Sequence, residues 1–181
     1  NAYINNSQNY QAELLKTATE FYRRKKNDGI TGVFQFMFID CWDSITWSVV
    51  DYYENKKKGY YELQKNYSPL ILSVRVRQQE YLTNSNLNFD LWIINDLWQS
   101  FGNCNLVVET NNKKIVEFKN ITVEENCNMF YDWEKFKSPI EKYFKVGINK
   151  VTVKLIQKNE CLAETEFEIK INDKKTLFNE K

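Results

Sequence analysis

The stretch Asp40-Cys41-Trp42-Asp43-Ser44-Ile45-Thr46-Trp47 gathers carboxylates, indoles and hydroxyls in one short run, with Phe36 just before it. Carboxylates accept hydrogen bonds or orient a neighbour, and aromatic rings offer flat faces on which sugar rings stack when exposed in a cleft. Aromatic residues make up 15% of the chain, and most such groups belong in a core. Histidine is absent, which removes His-based triads, His general bases and nearly all zinc sites. Cys41, Cys104, Cys127 and Cys161 show no CxxC spacing. They read as free, mostly buried thiols, which suits a reducing compartment and favours the cytoplasm; a Cys104–Cys127 bridge is the alternative. No cofactor and no metal are expected.

Charge excludes further classes. Lys and Arg number 25 against 24 acidic residues, leaving no electrostatic footprint for nucleic acid or an anionic membrane. Lys56-Lys57-Lys58 reads as a solvated helix start. No apolar stretch reaches the roughly 18 residues of a membrane span.

The elements that must position the loop change character near Pro69. Residues from about Ser7 to Lys26 form an amphipathic pattern, with Leu14, Leu15, Ala18, Phe21 and Tyr22 at helical spacing and Asp28-Gly29 as the stop. Val33 to Ile39 is an almost unbroken apolar run, as expected of a strand buried on both faces. A second helix carries Tyr60, Leu63, Gln64 and Tyr67 and ends by Ser68, before Pro69. Helix, buried strand, loop, helix is the grammar of a parallel α/β unit. From Leu70 onward the period becomes two: Leu70, Leu72, Val74 and Val76; then Leu87, Phe89, Leu91 and Ile93; then Val151, Val153 and Leu155; then Phe167, Ile169 and Ile171. Turns are expected at residues 83–86, 101–103, 111–112, 147–149 and 158–159. About six to eight short strands predict an immunoglobulin-like β-sandwich. The expected domains are therefore 1–68, 69–173 and a tail over 174–181.

One segment is more specific than any pattern. Residues 32–53, from Gly32 to Tyr53, resemble the end of the catalytic barrel in family 2 glycoside hydrolases, especially the β-mannosidase and exo-glucosaminidase branch. There the eighth barrel strand runs into a loop of the form Asp-x-Trp-Pro-x-x-Ser/Thr-Trp-Ser-x-Ile/Val-Asp-Tyr-Tyr. Asp40, Trp42, Thr46, Trp47, Ser48, Val50, Asp51, Tyr52 and Tyr53 match it. The flanks Gln11-Ala12-Glu13, Tyr22-Arg23-Arg24, Lys58-Gly59-Tyr60-Tyr61 and Ser68-Pro69-Leu70 agree, and Asn95-Asp96 looks like a turn of the family's accessory β-domains. Asp43 stands where the family usually has proline, Ile39 where many members have asparagine, and Phe36 where many have a platform tryptophan. These departures bear on sugar preference.

The resemblance implies a mainly β chain with an α/β N-terminal segment, the last helix–strand–helix piece of a TIM barrel before the sandwich. It implies a C-terminal fragment of a retaining, exo-acting β-glycosidase. In such enzymes two carboxyl groups stand about 5–5.5 Å apart, and both come from earlier barrel strands, so the fragment is expected to be inactive alone. Glu54, Glu62, Glu124 and Glu125 are expected on the solvated surface. The implied substrate-binding residues are Phe36 and Trp42, stacking on the sugar, and Asp40, accepting from its hydroxyls or orienting a neighbour. Trp47 and Asp51 are expected to be structural. The implied partners are the upstream barrel of the same polypeptide and its carbohydrate substrate. Without that barrel, the lone strand is expected either to be covered by its own two helices folding back over it or to recruit a second copy of the chain as a homodimer. The competing reading is an autonomous carbohydrate-binding or protein-interaction sandwich using Trp92, Trp98 or Trp133, with at most one of Trp92 and Trp98 exposed. Abundant Asn, Lys, Ile and Tyr suggest an AT-rich bacterial source.

Overall fold

The structure, a computed structural model, describes residues 2–111 and 113–173, the side chain of Trp133 excepted. The expected tail over 174–181 and the ring of Trp133 thus lie outside the described residues. The chain forms two compact units, Asn1–Ser68 and Pro69–Lys181.

In the first unit, helix α1 spans Ala2–Arg24, with Arg23 and Arg24 against the negative end of its dipole. A short 3-10 turn, Lys26–Asp28, follows and closes at Gly29, whose φ of 97° is the left-handed cap that glycine adopts without strain. Helix α2 spans Lys58–Asn66. The Arg23 guanidinium donates to the Ser68 carbonyl at 2.8 Å and to that of Asn66, satisfying acceptors at the end of α2. Gly59 lets the helices approach: a Cβ there would sit 2.8 Å from Leu15 Cδ1. The buried cluster of this unit is small: Val49, Val50 and Leu63, with Leu15 and Tyr60 against it. Leu14, Phe21 and Tyr22, expected on the buried face of α1, are exposed.

The expected strand over 33–39 is not formed. Its end makes only an isolated parallel bridge, Ile39 to Val50, and Phe34, Phe36 and Phe38 are 94%, 75% and 60% exposed. A strand exists only where neighbours take its N–H and C=O groups, and among the described residues no strand flanks residues 33–38. The run is apolar enough for a double-sided strand but has no ladder to join.

The second unit is a β-sandwich. Strands β1 (Leu70–Val76), β4 (Phe89–Asn95) and β7 (Asn128–Tyr131) form one antiparallel sheet in the order β1-β4-β7. The other sheet has the order β2-β10-β9-β5-β6, from β2 (Glu80–Leu82), β5 (Phe101–Thr110), β6 (Lys113–Val123), β9 (Gly147–Gln157) and β10 (Glu160–Asn172). The pair β3 (Asn86–Leu87) and β8 (Ser138–Pro139) stands apart, and helix α3 (Ile140–Tyr143) follows it. Alternation places Leu72, Phe89, Leu91 and Ile93 of the smaller sheet in one core with Leu106, Val108, Val153, Leu155 and Ile169 of the larger. Phe136, from the 3-10 turn Trp133–Phe136, stacks on Phe89 with centroids 4.5 Å apart.

Turn signals divide into two kinds. Lys158 and Asn159, with φ of 48° and 69°, make the two-residue hairpin joining β9 to β10. Residues 101–103, by contrast, lie inside β5, where the register shifts between Phe101 and Cys104 and Asn103 has φ of 55°. That glycine and asparagine serve a bulge rather than a turn. Gly147 likewise opens β9. None of the four cysteines forms a disulfide; Cys104 is buried, but Cys41 and Cys161 are exposed, so the thiols are not mostly buried.

Candidate functional site

The loop between Asp40 and Lys57 is held by side chains from both of its ends. Lys57 Nζ donates to Asp40 Oδ2 at 3.0 Å and to Ser48 Oγ at 2.8 Å. The Thr46 hydroxyl donates to Asp40 Oδ1, and the Ser48 N–H donates to Thr46 Oγ1 at 3.1 Å. The hydroxyl of Ser48, fully buried, donates a hydrogen bond to the Val50 carbonyl at 2.8 Å. From α1, the Gln11 amide donates to the Trp47 and Ser48 carbonyls at 2.9 and 3.0 Å. Near the tip, the Tyr53 hydroxyl donates to Asp43 Oδ2 at 2.8 Å, and that hydrogen bond, with the Asp43 charge, raises the Tyr53 pKa. Asp51 is the expected loop anchor: its carboxylate accepts from the Asn55 backbone at 2.8 Å and side chain at 3.2 Å.

These bonds decide what Asp40 can do. Only 4% of the residue is exposed, and each carboxylate oxygen already has a donor. The Thr46 hydroxyl, with Ser48 and Lys57, lowers its pKa despite the opposing effect of burial. A carboxylate held in its charged form by an ammonium and hydroxyls is a poor proton donor near neutral pH. Its present contacts orient neighbours.

Phe36 and Trp42 belong to the same loop region but behave differently. Their rings are 75% and 61% exposed, whereas Asp40 is turned inward. None of the three lines the apolar pocket beside the loop, about 320 Å³, whose walls include Phe34, Phe38, Val49, Tyr60, Leu63 and Tyr67. Trp47 exposes 63% of its surface, so its tie to the fold runs through its carbonyl. Glu54, Glu124 and Glu125 lie exposed, and Glu62 pairs with Lys65 at 3.5 Å. No cluster of three His, Cys, Asp or Glu side chains that could hold a metal occurs among the described residues.

Sequence reasoning missed Lys57. Its side chain is 14% exposed and paired, so the reading of residues 56–58 as a solvated run fails at its middle member. The available signal was small: Asp40 and Lys57 close the two ends of one polar loop, a coincidence that no periodicity marks. On the sandwich, Trp98 is 79% exposed, while Trp92 stacks between Phe130, 4.7 Å away, and the Arg75 guanidinium, 5.3 Å away. One exposed indole of the two is what alternation predicted.

The CARDB domain of the PF1109 protein from Pyrococcus furiosus aligns over 57% of this chain and 87% of its own length, at TM-score 0.45 and 9% identity. Spo0M, a sporulation control protein from Bacillus subtilis, aligns over 58% and 50% at TM-score 0.40 and 12% identity. No protein-family model matches. Among curated proteins, beta-mannosidase B of Aspergillus niger is 28% identical over 102 residues, which is 52% of this chain and 12% of that protein. Those of Emericella nidulans and Aspergillus terreus are each 26% identical over the same shares. These similarities support a distant glycoside hydrolase relationship. The matched segment spans about an eighth of the relatives' length. All three are fungal, so they lend no support to the bacterial source that composition suggested.

Proposed function

We propose that this chain is a C-terminal part of a retaining, exo-acting β-glycosidase. Residues 1–68 are its last barrel segment and residues 69–173 an immunoglobulin-like sandwich. The observation that carries the reading is the Asp40–Tyr53 loop, which matches the glycosidase form except for Asp43 in place of its proline and presents Trp42 outward from a fixed base. Similarity to beta-mannosidase B supports it and makes a terminal β-mannoside the first substrate to try. In this reading Phe36 and Trp42 contact sugar, and Asp40 orients the loop.

The exposed apolar set of the first unit, Phe34, Phe36, Phe38, Ile45 and Trp47, fits a surface that further polypeptide covers. The upstream barrel of the same polypeptide is the proposed cover. A second copy of the chain is the alternative, distinguished by the mass in solution. The two catalytic carboxylates are proposed to lie in that upstream barrel.

The test is hydrolysis of aryl β-mannoside, β-glucoside, β-galactoside and β-glucosaminide by this chain alone and by the polypeptide with its upstream barrel restored. An inert short chain beside an active long one is expected. Turnover by the short chain would put the catalytic carboxylates within it and overturn the proposal. A second reading, an autonomous sugar-binding sandwich, is favoured only by the exposed Trp98. Sugar titration of the short chain that quenches fluorescence in wild type but not in W98A would establish it.

A further inference from the structure

The structure assigns Lys57 as a positioning residue: it latches the loop 40–48 to the start of α2 and so sets how Trp42 is presented. Its ammonium reaches both ends of that loop, at Asp40 and at Ser48, from outside it, as the Thr46 hydroxyl does from within. The Lys57 backbone N–H donates to the Val49 carbonyl at 2.9 Å, which fixes the origin of the side chain beside its targets. The acceptors are held in turn. The Thr46 hydroxyl donates to the second oxygen of Asp40, and the fully buried Ser48 hydroxyl donates to the Val50 carbonyl. The Asp40 and Val50 backbones join through an N–H···O bond of 3.1 Å. Among the described residues, Lys57 is the only cation bonded to the buried Asp40 carboxylate. Without it the carboxylate keeps its burial and loses its counter-charge.

The neighbouring lysines have other contacts. Lys56 lies over the Tyr60 ring at 4.6 Å, and Lys58 bonds the side chains of Asn5 and Asn9 on α1. Lys56→Met is therefore an internal control for loss of a lysine at this helix start. The link from the latch to sugar binding rests on the proposed function; the latch itself does not.

Hydrogen exchange on this chain tests the latch. Lys57→Met is expected to speed exchange of the amides of residues 40–50 about ten-fold, Lys56→Met less than about two-fold, and the sandwich peptides not at all. Lys57→Arg, which keeps a charged donor, is expected to restore part of the protection. Asp40→Asn is expected to act like Lys57→Met, and the double variant to be no faster than the faster single, because the two groups form one interaction. Unchanged exchange in Lys57→Met, or additive effects of the pair, would overturn the proposal. Kinetics on the barrel-restored polypeptide separate this outcome from the functional reading. With the loop facing sugar, Lys57→Met raises KM about ten-fold and changes kcat less than about three-fold. Faster exchange with an unmoved KM would leave the latch standing and remove Phe36 and Trp42 from the sugar site.

Discussion

Asp40 shows how one residue's surroundings outweigh its type. An aspartate beside a tryptophan in a polar loop invites a ligand-binding role, yet here it is the buried end of an ion pair. Its pKa is lowered from the ordinary 3.8, the Thr46 hydroxyl contributing most. A carboxylate whose pKa falls on folding stabilises the fold above its unfolded value, and that contribution is lost as pH falls through the folded value. Carboxyl-carbon NMR should therefore find the Asp40 midpoint below 3.8, with loop order lost only on acidification beneath it. Thr46→Val and Lys57→Met should each raise the midpoint, since the hydroxyl and the ammonium both lower it. A wild-type midpoint at or above 3.8 would mean that burial wins and the network is not formed in solution.

At the scale of elements, what the sequence disclosed follows the range of the forces involved. Helices α1 and α2, and the strands carrying Leu70 to Val76 or Val151 to Leu155, are written in local periodicity and emerge near their expected places. The run from Val33 to Ile39 is not legible in the same way, because a double-sided strand needs neighbours that its own residues do not encode. The parallel pairing of β2 with β10 is equally silent, since Tyr81 and Ile171 meet from distant parts of the chain. Of the site, the loop and its exposed rings were readable, whereas the Asp40–Lys57 pair required three-dimensional closure. Gly59 tests the helix packing. Alanine there gains up to about 1 kcal/mol of helix propensity, and the atoms its Cβ meets, Leu15 Cδ1 and Gln11 Oε1, are side-chain ends that can yield. Gly59→Ala should thus be near neutral in urea unfolding. Gly59→Val cannot turn its branched methyls aside and should cost the first unit about 2 kcal/mol. Equal stability of the two variants would show that the helices do not pack this closely.

Across the whole molecule, burial is shared unequally between the two units. The sandwich encloses a continuous core from Leu70 to Ile171 that includes Phe89, Phe136, Leu155 and Ile169, all nearly sealed from water. The first unit buries only Val49, Val50 and Leu63 as a cluster and leaves most of its large apolar side chains exposed. Since stability is the small difference between burial and chain entropy, a unit of this size with so small a core is marginal by itself. Urea unfolding of the chain should therefore depart from two-state behaviour. The first unit should unfold at low urea with a small slope, because it exposes little new surface, and amides of α1 and α2 should lose protection there. The sandwich should unfold later with a steeper slope, and residues 69–173 prepared alone should reproduce that second transition. On the proposed function, restoring the upstream barrel should shift the first transition toward the second, as the exposed aromatic faces of the first unit become covered. One coincident transition in the short chain, seen alike by helix and sandwich amides, would contradict this division and show that the first unit draws its stability from elsewhere in the fold.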